Sequence, residues 1–290
     1  MRIRKLYSPW SPHFWSPLFK QRYGLEDYDY RNRQDRKEPI IVFGMYGGGT
    51  KSQMMNHQGL IVIVWSGSDS LRLNEHPNFV EYCKLNEHRI FHIAHSHWIQ
   101  TDLGHFGLKY IDKVVIPRDL SMFSFEKECG KSVYHYGTHQ RKWYYGTEVL
   151  EKLELKWRKN PHYPKIIRTV QDAYKLDELY NLYKDSFLGV RLTEHDNMAM
   201  SVVEMGLMGR RSIFNGNVPC AISYPVEPYS YNPDTKRRWV WQDKEEMVTL
   251  IGNMILNYKY YFNGPDRLLA EEMEEFIYDD GKWLNTEYYE

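Results

Sequence analysis

The chain has 290 residues, with 38 basic and 38 acidic side chains and therefore no formal net charge. Hydrophobic residues make up 42% and charged residues 26%, which excludes wholesale disorder and fits one large or two compact domains. The charge balance argues against a protein whose main task is to coat nucleic acid, because such proteins carry a basic excess.

The sequence has few features of a secreted or membrane protein. Its three cysteines are far apart and lack the spacing of a zinc site, which favours a reducing compartment. No apolar stretch reaches the roughly 18 residues that a membrane span needs. The first residues are basic but are interrupted by Pro and His, unlike a signal peptide. We therefore expect a soluble, cytoplasmic protein.

The first half of the chain predicts an α/β domain. Residues 1–38 are polar, aromatic and locally basic, and the apolar pattern begins after them. Strands are predicted at 39–44, 59–69, 89–96 and 110–117, with a helix between Asn74 and Leu85. Continuous apolar strands that alternate with helical stretches are typical of a buried parallel sheet.

The second half repeats this alternation after a polar linker at 117–131. Strands are predicted at 132–137, 165–170, 187–193 and 211–216, and helices near 146–156, 172–182, 198–209 and 244–261, before a final acidic helix. The sequence thus predicts an α/β protein of two domains, 1–125 and 126–290. In such sheets ligands bind at the carboxyl ends of the strands, so a cleft between the domains is the natural site.

The most informative stretch is residues 189–216. Asp196 lies in a polar turn and is predicted to cap the helix that follows. Glu204 comes eight residues later, and the N–H groups at the start of such a helix can hold an anion. The alternative is an ordinary amphipathic helix with a capping Asp and an exposed Glu.

This stretch resembles the donor site of GT-B glycosyltransferases, especially the family-four-like retaining enzymes. Their pattern is an acidic residue, seven residues, a Glu, and then a Gly before a short strand; here Asp196 takes the place of the usual first Glu. The resemblance implies two Rossmann-like domains facing a central cleft. It also implies that Glu204 holds the ribose of a nucleotide-sugar and that Asp196 contacts the transferred sugar.

Residues 133–153 are similar to the part of these enzymes in which a Gly and a following basic residue hold the diphosphate. Gly137 fits that Gly, and Arg141 or Lys142 fits the basic residue. The lead-in Arg191–His195 is also similar to members of the group. The donor-binding residues that the resemblance implies are Gly137, Arg141, Lys142, Arg191, His195, Asp196, Asn197, Met198 and Glu204.

A weaker resemblance concerns the first half, where 62–69 and 93–117 are similar to passages of some GT-B enzymes. It implies that Asp69, Ser96 and His97 lie on the acceptor side. A histidine there could donate a hydrogen bond to the leaving phosphate or bind the acceptor. The predicted catalytic residues are therefore Asp69, His97 and Asp196.

Three other motifs carry less weight. The Gly-rich stretch 44–52 resembles a phosphate-binding P-loop but has its lysine, Lys51, one position late. The Asp-x-Asp at 27–29 precedes the first convincing strand, so no metal site is predicted. His92, His95 and His97 alternate along the predicted strand and would share one face, where structural roles are favoured.

The sequence therefore predicts a glycosyltransferase that moves a sugar from a nucleotide-sugar to a hydroxyl of a glycan or another acceptor. The resemblance implies retention and a reaction without metal or cofactor, the nucleotide-sugar being a co-substrate. The alternatives are a non-catalytic nucleotide- or sugar-binding protein of the same fold and a DNA-base glycosyltransferase, with DNA a possible but not favoured partner. A P-loop-like phosphotransferase is less favoured.

Overall fold

The computed structural model describes residues 1–8, 15–67, 69–137, 145–169, 175–193, 196, 198–224 and 244–290. The chain divides into two compact units. Unit 1 comprises Met1–Asp119, His195–Met198 and Ile277–Glu290, and unit 2 comprises Leu120–Glu194 and Ala199–Phe276. The predicted boundary at residues 125 and 126 did not include the return of the C-terminal segment to unit 1.

Unit 1 contains a five-stranded parallel sheet in the order β2-β1-β3-β4-β5. Its strands are β1 (Lys5–Tyr7), β2 (Glu26–Asp27), β3 (Ile40–Phe43), β4 (Ile61–Val64) and β5 (Ile90–Ile93). Its helices are α1 (Trp15–Tyr23), α2 (Gly48–Met55), α3 (Pro77–Leu85) and α4 (His97–His105).

The central strands of unit 1 are buried on both faces, which explains their uninterrupted apolar sequences. Alternate residues of β3 enter different cores: Ile40 and Val42 face one, and Ile41 and Phe43 face the other. The second core also contains Trp283 from the C-terminal segment. This segment therefore completes one face of the sheet.

Unit 2 contains a second five-stranded parallel sheet in the order β10-β9-β8-β6-β7. Its strands are β6 (Ser132–His135), β7 (Ile166–Arg168), β8 (Ser186–Val190), β9 (Arg211–Ile213) and β10 (Ala221–Ile222). Its helices are α5 (Thr147–Trp157), α6 (Leu176–Lys184), α7 (Met200–Leu207), α8 (Lys244–Tyr261) and α9 (Arg267–Phe276).

The helices cover this sheet with apolar faces. Leu153 of α5 and Ile251 of α8 belong to one core with β6 and β8. On α7, every residue from Ser201 to Leu207 is buried, so this helix is not amphipathic. The alternative of an exposed Glu204 is thereby excluded. No helix in the described part of the chain combines the length and hydropathy of a membrane crossing.

The predicted α/β class with two Rossmann-like units is confirmed, and the differences concern short or polar elements. The predicted strand at 110–117 is wrong: only Ile111 forms a bridge, to Ile93. Polar residues interrupt this run, and Lys113 forms an ion pair with Asp279 at 3.3 Å. Strands β1 and β2 were not predicted, because three and two residues are too few to show a periodicity.

Candidate functional site

The strand order in unit 2 reverses at β6, which has β7 on one side and β8 on the other. In open parallel sheets, ligands bind outside the carboxyl ends of the strands at such a reversal. The residues there are Tyr136 and Gly137 after β6 and Arg191–Thr193 after β8. This edge of the sheet is the candidate functional site of unit 2.

His135 ties the two strands of this edge to helix α5. Burial lowers the pKa of His135 to about 3, so its ring is neutral. Its Nδ1 lies 3.2 Å from the carbonyl oxygen of Val190 and its Nε2 lies 3.1 Å from Thr147 Oγ1. A Cβ atom on Gly137 would approach Thr147 Oγ1 to 2.8 Å and His135 Nε2 to 2.9 Å. Only glycine therefore fits at Gly137 without a shift of these neighbours.

Arg191 is a buried cation at the same edge. Its Cζ lies 4.3 Å from the ring centroid of Tyr136 and 5.0 Å from that of Tyr145. The two rings meet edge to face, with centroids 4.9 Å apart. A guanidinium keeps its charge even when buried, and it can bind a phosphate through two N–H groups at once.

Glu204 lies in the second turn of α7 and is 1% exposed. The hydroxyl of Tyr183, on α6, donates a hydrogen bond to Glu204 Oε2 at 2.8 Å. A carboxylate this deeply buried is costly unless it is hydrogen-bonded. The structure thus holds an acceptor of hydrogen bonds in a fixed position on the helix that follows β8.

In unit 1, Asp69 follows β4 and is fully buried. Its carboxylate accepts backbone N–H groups from Met45 at 2.8 Å, Ser66 at 3.2 Å and Ser70 at 3.1 Å. Burial raises the pKa of Asp69, and the backbone N–H groups oppose this effect. Asp69 therefore joins the loop after β3 to the loop after β4.

The Gly-rich stretch after β3 turns directly into helix α2. Gly44 and Gly47 have φ angles of 78° and 118°, which favour glycine. Lys51 is 3% exposed, and its Nζ donates to the carbonyl oxygen of Met45 at 2.7 Å. Burial lowers the pKa of Lys51. The lysine holds its own loop, unlike the phosphate-binding lysine of a P-loop.

The three predicted histidines do not share a strand face, because β5 ends at Ile93. His92 and His95 are buried, and burial lowers the pKa of each to about 4. His92 Nδ1 accepts the indole N–H of Trp65 at 3.2 Å. His97 begins helix α4 and is half-buried.

No protein-family model matches the sequence, and no curated protein matches it either. Among solved structures, the chain is similar to HepE of Anabaena in complex with UDP and glucose, with a TM-score of 0.57 and 10% identity over 98% of this chain and 90% of that one. It is also similar to the pneumococcal O-GlcNAc transferase GtfA in complex with UDP and GlcNAc, with a TM-score of 0.54 and 10% identity over 86% of this chain. The chain spans 55% of the length of GtfA.

The chain has the GT-B fold. Within this fold, Glu204 lies on α7, the helix that follows β8, and Asp196 lies before the start of this helix. The prediction that Asp196 caps this helix is wrong, since α7 begins at Met200 and Ala199 is its N-cap. In unit 1, Ser96 Oγ donates to the carbonyl oxygen of Asp196 at 2.8 Å. Two predicted residues of the GT-B resemblance are thus in contact.

The roles of several residues that the GT-B resemblance implies for the donor site remain untested by the contacts in the structure. Met198 is half-buried before α7. Four predicted donor residues lie outside the described residues: Arg141, Lys142, His195 and Asn197. Their roles, and the predicted cleft between the domains, stay predictions.

The tyrosines of unit 2 were not singled out from the sequence. With 24 tyrosines in the chain, composition does not select any of them. A signal existed for Tyr136, which directly precedes Gly137 at a strand end. Tyr183, on α6, stands out only in the folded protein, where its hydroxyl donates to Glu204 on α7.

Proposed function

We propose that the chain transfers a sugar from a UDP-sugar to a hydroxyl acceptor. One observation carries the proposal: a buried, hydrogen-bonded glutamate, Glu204, lies on the helix that follows β8, beside the reversal of strand order in unit 2. The GT-B fold supports it, as does the presence of UDP and a sugar in the HepE and GtfA complexes.

In this proposal Glu204 accepts hydrogen bonds from the ribose of the donor. The buried guanidinium of Arg191, beside the rings of Tyr136 and Tyr145, binds the diphosphate, which can approach the backbone closely at Gly137. The transferred sugar and the remainder of the diphosphate are bound by Arg141, Lys142, His195, Asp196, Asn197 and Met198.

Unit 1 supplies the acceptor side. His97, half-buried at the start of α4, contacts the acceptor hydroxyl or the leaving phosphate. The burial of Asp69 and its bonds to backbone N–H groups support a role in holding the loops of this side. The acceptor is a glycan or another hydroxyl compound.

The proposed chemistry is retaining. The bond from the anomeric carbon to the phosphate oxygen breaks, the bond to the acceptor oxygen forms on the same face, and the leaving phosphate takes the acceptor proton. Cationic groups and helix N–H groups stabilise the departing diphosphate without a metal ion. The anomeric configuration of the product, read by proton NMR, and turnover in EDTA test these two features.

The donor assignment is tested by titrating the protein with UDP and by incubating it with a panel of UDP-sugars. We expect Glu204→Gln to weaken UDP binding about tenfold or more, because the amide is a poorer acceptor for ribose hydroxyls than the carboxylate. Isothermal titration calorimetry measures the Kd, and release of free UDP measures turnover.

Glu272→Gln is the matched control, since this glutamate is exposed on α9. It should leave the Kd for UDP unchanged. Equal affinities of wild type and Glu204→Gln would refute the donor-site assignment. Binding of UDP-sugars without any release of UDP or transfer would instead favour a non-catalytic binding protein of the same fold.

A further inference from the structure

The bond between Tyr183 and Glu204 joins two fully buried side chains from neighbouring helices. Each residue is 1% exposed, and the distance from Tyr183 Oη to Glu204 Oε2 is 2.8 Å. A hydrogen bond to a buried carboxylate is stronger than one between neutral groups. The hydroxyl therefore restrains the orientation of the Glu204 carboxyl group.

The ring of Tyr183 is itself held by aromatic neighbours. Tyr134, on β6, meets it edge to face with centroids 4.8 Å apart and an interplanar angle of 82°. The ring centroid of Phe123 lies 5.8 Å away. In a close-packed interior such a ring has one available orientation. The position of the Tyr183 hydroxyl is thus set by packing against Tyr134 and Phe123 and not only by Glu204.

The hydroxyl is also a permanent donor. Burial raises the pKa of Tyr183 well above its ordinary value, and the charge of Glu204 raises it further. The phenol therefore keeps its proton throughout the neutral range, in which nucleotide binding is measured.

We propose that Tyr183 is a positioning residue, whose hydroxyl holds the Glu204 carboxylate in the orientation that receives the ribose hydroxyls of the donor. This inference rests on the proposed function, in which Glu204 binds ribose. It assigns to α6 a part in donor recognition, although Tyr183 itself does not contact the nucleotide.

The test is Tyr183→Phe, which keeps the ring and removes only the hydroxyl. We expect the Kd for UDP to rise about tenfold, with KM for the UDP-sugar rising and kcat changing little, because binding is lost equally in the ground and transition states. The preference for UDP over 2′-deoxy-UDP or 3′-deoxy-UDP should fall by a similar factor. A tyrosine that only stabilised the fold would leave this preference unchanged.

Tyr180→Phe is a matched control on the same helix. The hydroxyl of Tyr180 donates to a different carboxylate, Glu126 Oε2, at 2.7 Å. Tyr180→Phe should leave the Kd for UDP and the preference for UDP over its deoxy analogues as in the wild type. A loss of preference in Tyr180→Phe equal to that in Tyr183→Phe would overturn the inference.

The remaining outcomes separate the inference from the proposed function. If Glu204→Gln loses UDP binding but Tyr183→Phe keeps both the wild-type Kd and the preference for UDP over its deoxy analogues, the positioning role is refuted and the donor assignment stands. If the wild type does not bind UDP, both fail. Should Tyr183→Phe not fold, Tyr183→Met, which fills a similar volume without a hydroxyl, gives the same comparison.

Discussion

Three buried charged side chains of this protein bind backbone groups and thereby hold loops in place. Asp69 accepts N–H groups from the loops after β3 and β4, and Lys51 donates to the backbone of its own loop. Arg210 is fully buried and donates to carbonyl oxygens of three different segments. Residue types that suggest catalysis in the sequence therefore include several that hold the fold together.

Arg210 leads to the first stability prediction. Its guanidinium donates to the carbonyl oxygens of Ser186 at 2.9 Å, Met208 at 2.6 Å and Glu128 at 2.7 Å. Arg210→Met leaves these buried acceptors without their donor, and we expect a loss of about 3 kcal/mol in the free energy of unfolding. Urea denaturation followed by circular dichroism measures it.

The neighbouring Arg211 provides the comparison. It is half-buried and donates to the carbonyl oxygen of Pro219 at 3.5 Å, a long and weak bond. Arg211→Met should therefore cost much less than Arg210→Met. Equal losses of unfolding free energy in the two variants would show that the three hydrogen bonds of Arg210 stabilise the fold no more than the single long bond of Arg211.

At the scale of elements, the C-terminal segment Ile277–Glu290 stabilises unit 1 although it follows the last helix of unit 2. Asp279 forms polar contacts that hold this segment in unit 1. Its Oδ2 accepts hydrogen bonds from the Tyr23 hydroxyl at 3.0 Å and from the Trp283 indole N–H at 2.9 Å. Its Oδ1 lies 3.3 Å from Lys113 Nζ. One carboxylate thus connects the segment to α1 and to the region after β5.

We expect Asp279→Asn to lower the free energy of unfolding by about 2 kcal/mol, because the amide replaces a charged acceptor that serves several buried donors. Asp280→Asn is the matched control, since Asp280 is exposed and pairs with Lys282 at 2.8 Å. It should leave thermal unfolding unchanged. A similar shift of Tm in both variants would contradict the role given to Asp279.

The reliability of the sequence predictions differed with the length and burial of the element. Strands were predicted at all the positions of β3 to β9, most clearly at β3 and β4, whose apolar residues are continuous, as burial on both faces demands. The short strands β1, β2 and β10 were missed, and a strand was wrongly predicted at 110–117, where Asp112 and Lys113 interrupt the apolar run. A local sequence pattern therefore identifies a strand only where several consecutive residues of that strand are apolar and buried.

Across the whole molecule, buried histidines predict how stability depends on pH. Burial lowers the pKa of His57, His92 and His95 to about 4 and that of His135 to about 3, against an ordinary value of 6.5. Between pH 6.5 and about 4, the unfolded chain binds protons that the folded chain does not. The contribution of these histidines to stability therefore falls as the pH falls through this range.

We expect each of these histidines to remove up to about 1.4 kcal/mol of unfolding free energy per pH unit below the ordinary pKa. Chemical denaturation at a series of pH values measures the slope. His92→Gln should reduce the slope by about one proton, since glutamine cannot titrate. A variant with the wild-type slope would show that His92 is protonated in the folded protein.

The candidate site was only partly predictable. The position of Glu204 after a buried strand, and the glycine at the end of β6, follow from local sequence. The closeness of Arg191 to the rings of two tyrosines and the neutral state of His135 do not, because both depend on which loops meet at one edge of the sheet. Asp69 was predicted as a catalytic residue on the acceptor side; only the structure shows that it is buried and that its carboxylate accepts backbone N–H groups.

The sequence by itself determined the α/β class and the alternation of buried strands and helices, because hydrophobic periodicity is a property of neighbouring residues. Only the tertiary structure decided the return of the C-terminal segment to unit 1 and the partners of the polar groups. Tyr183 and Glu204 are 21 positions apart, Met45 and Asp69 are 24 apart, and Tyr23 and Asp279 are 256 apart. Such pairs form because each buried polar group must find a hydrogen-bond partner wherever the folded chain brings one within reach.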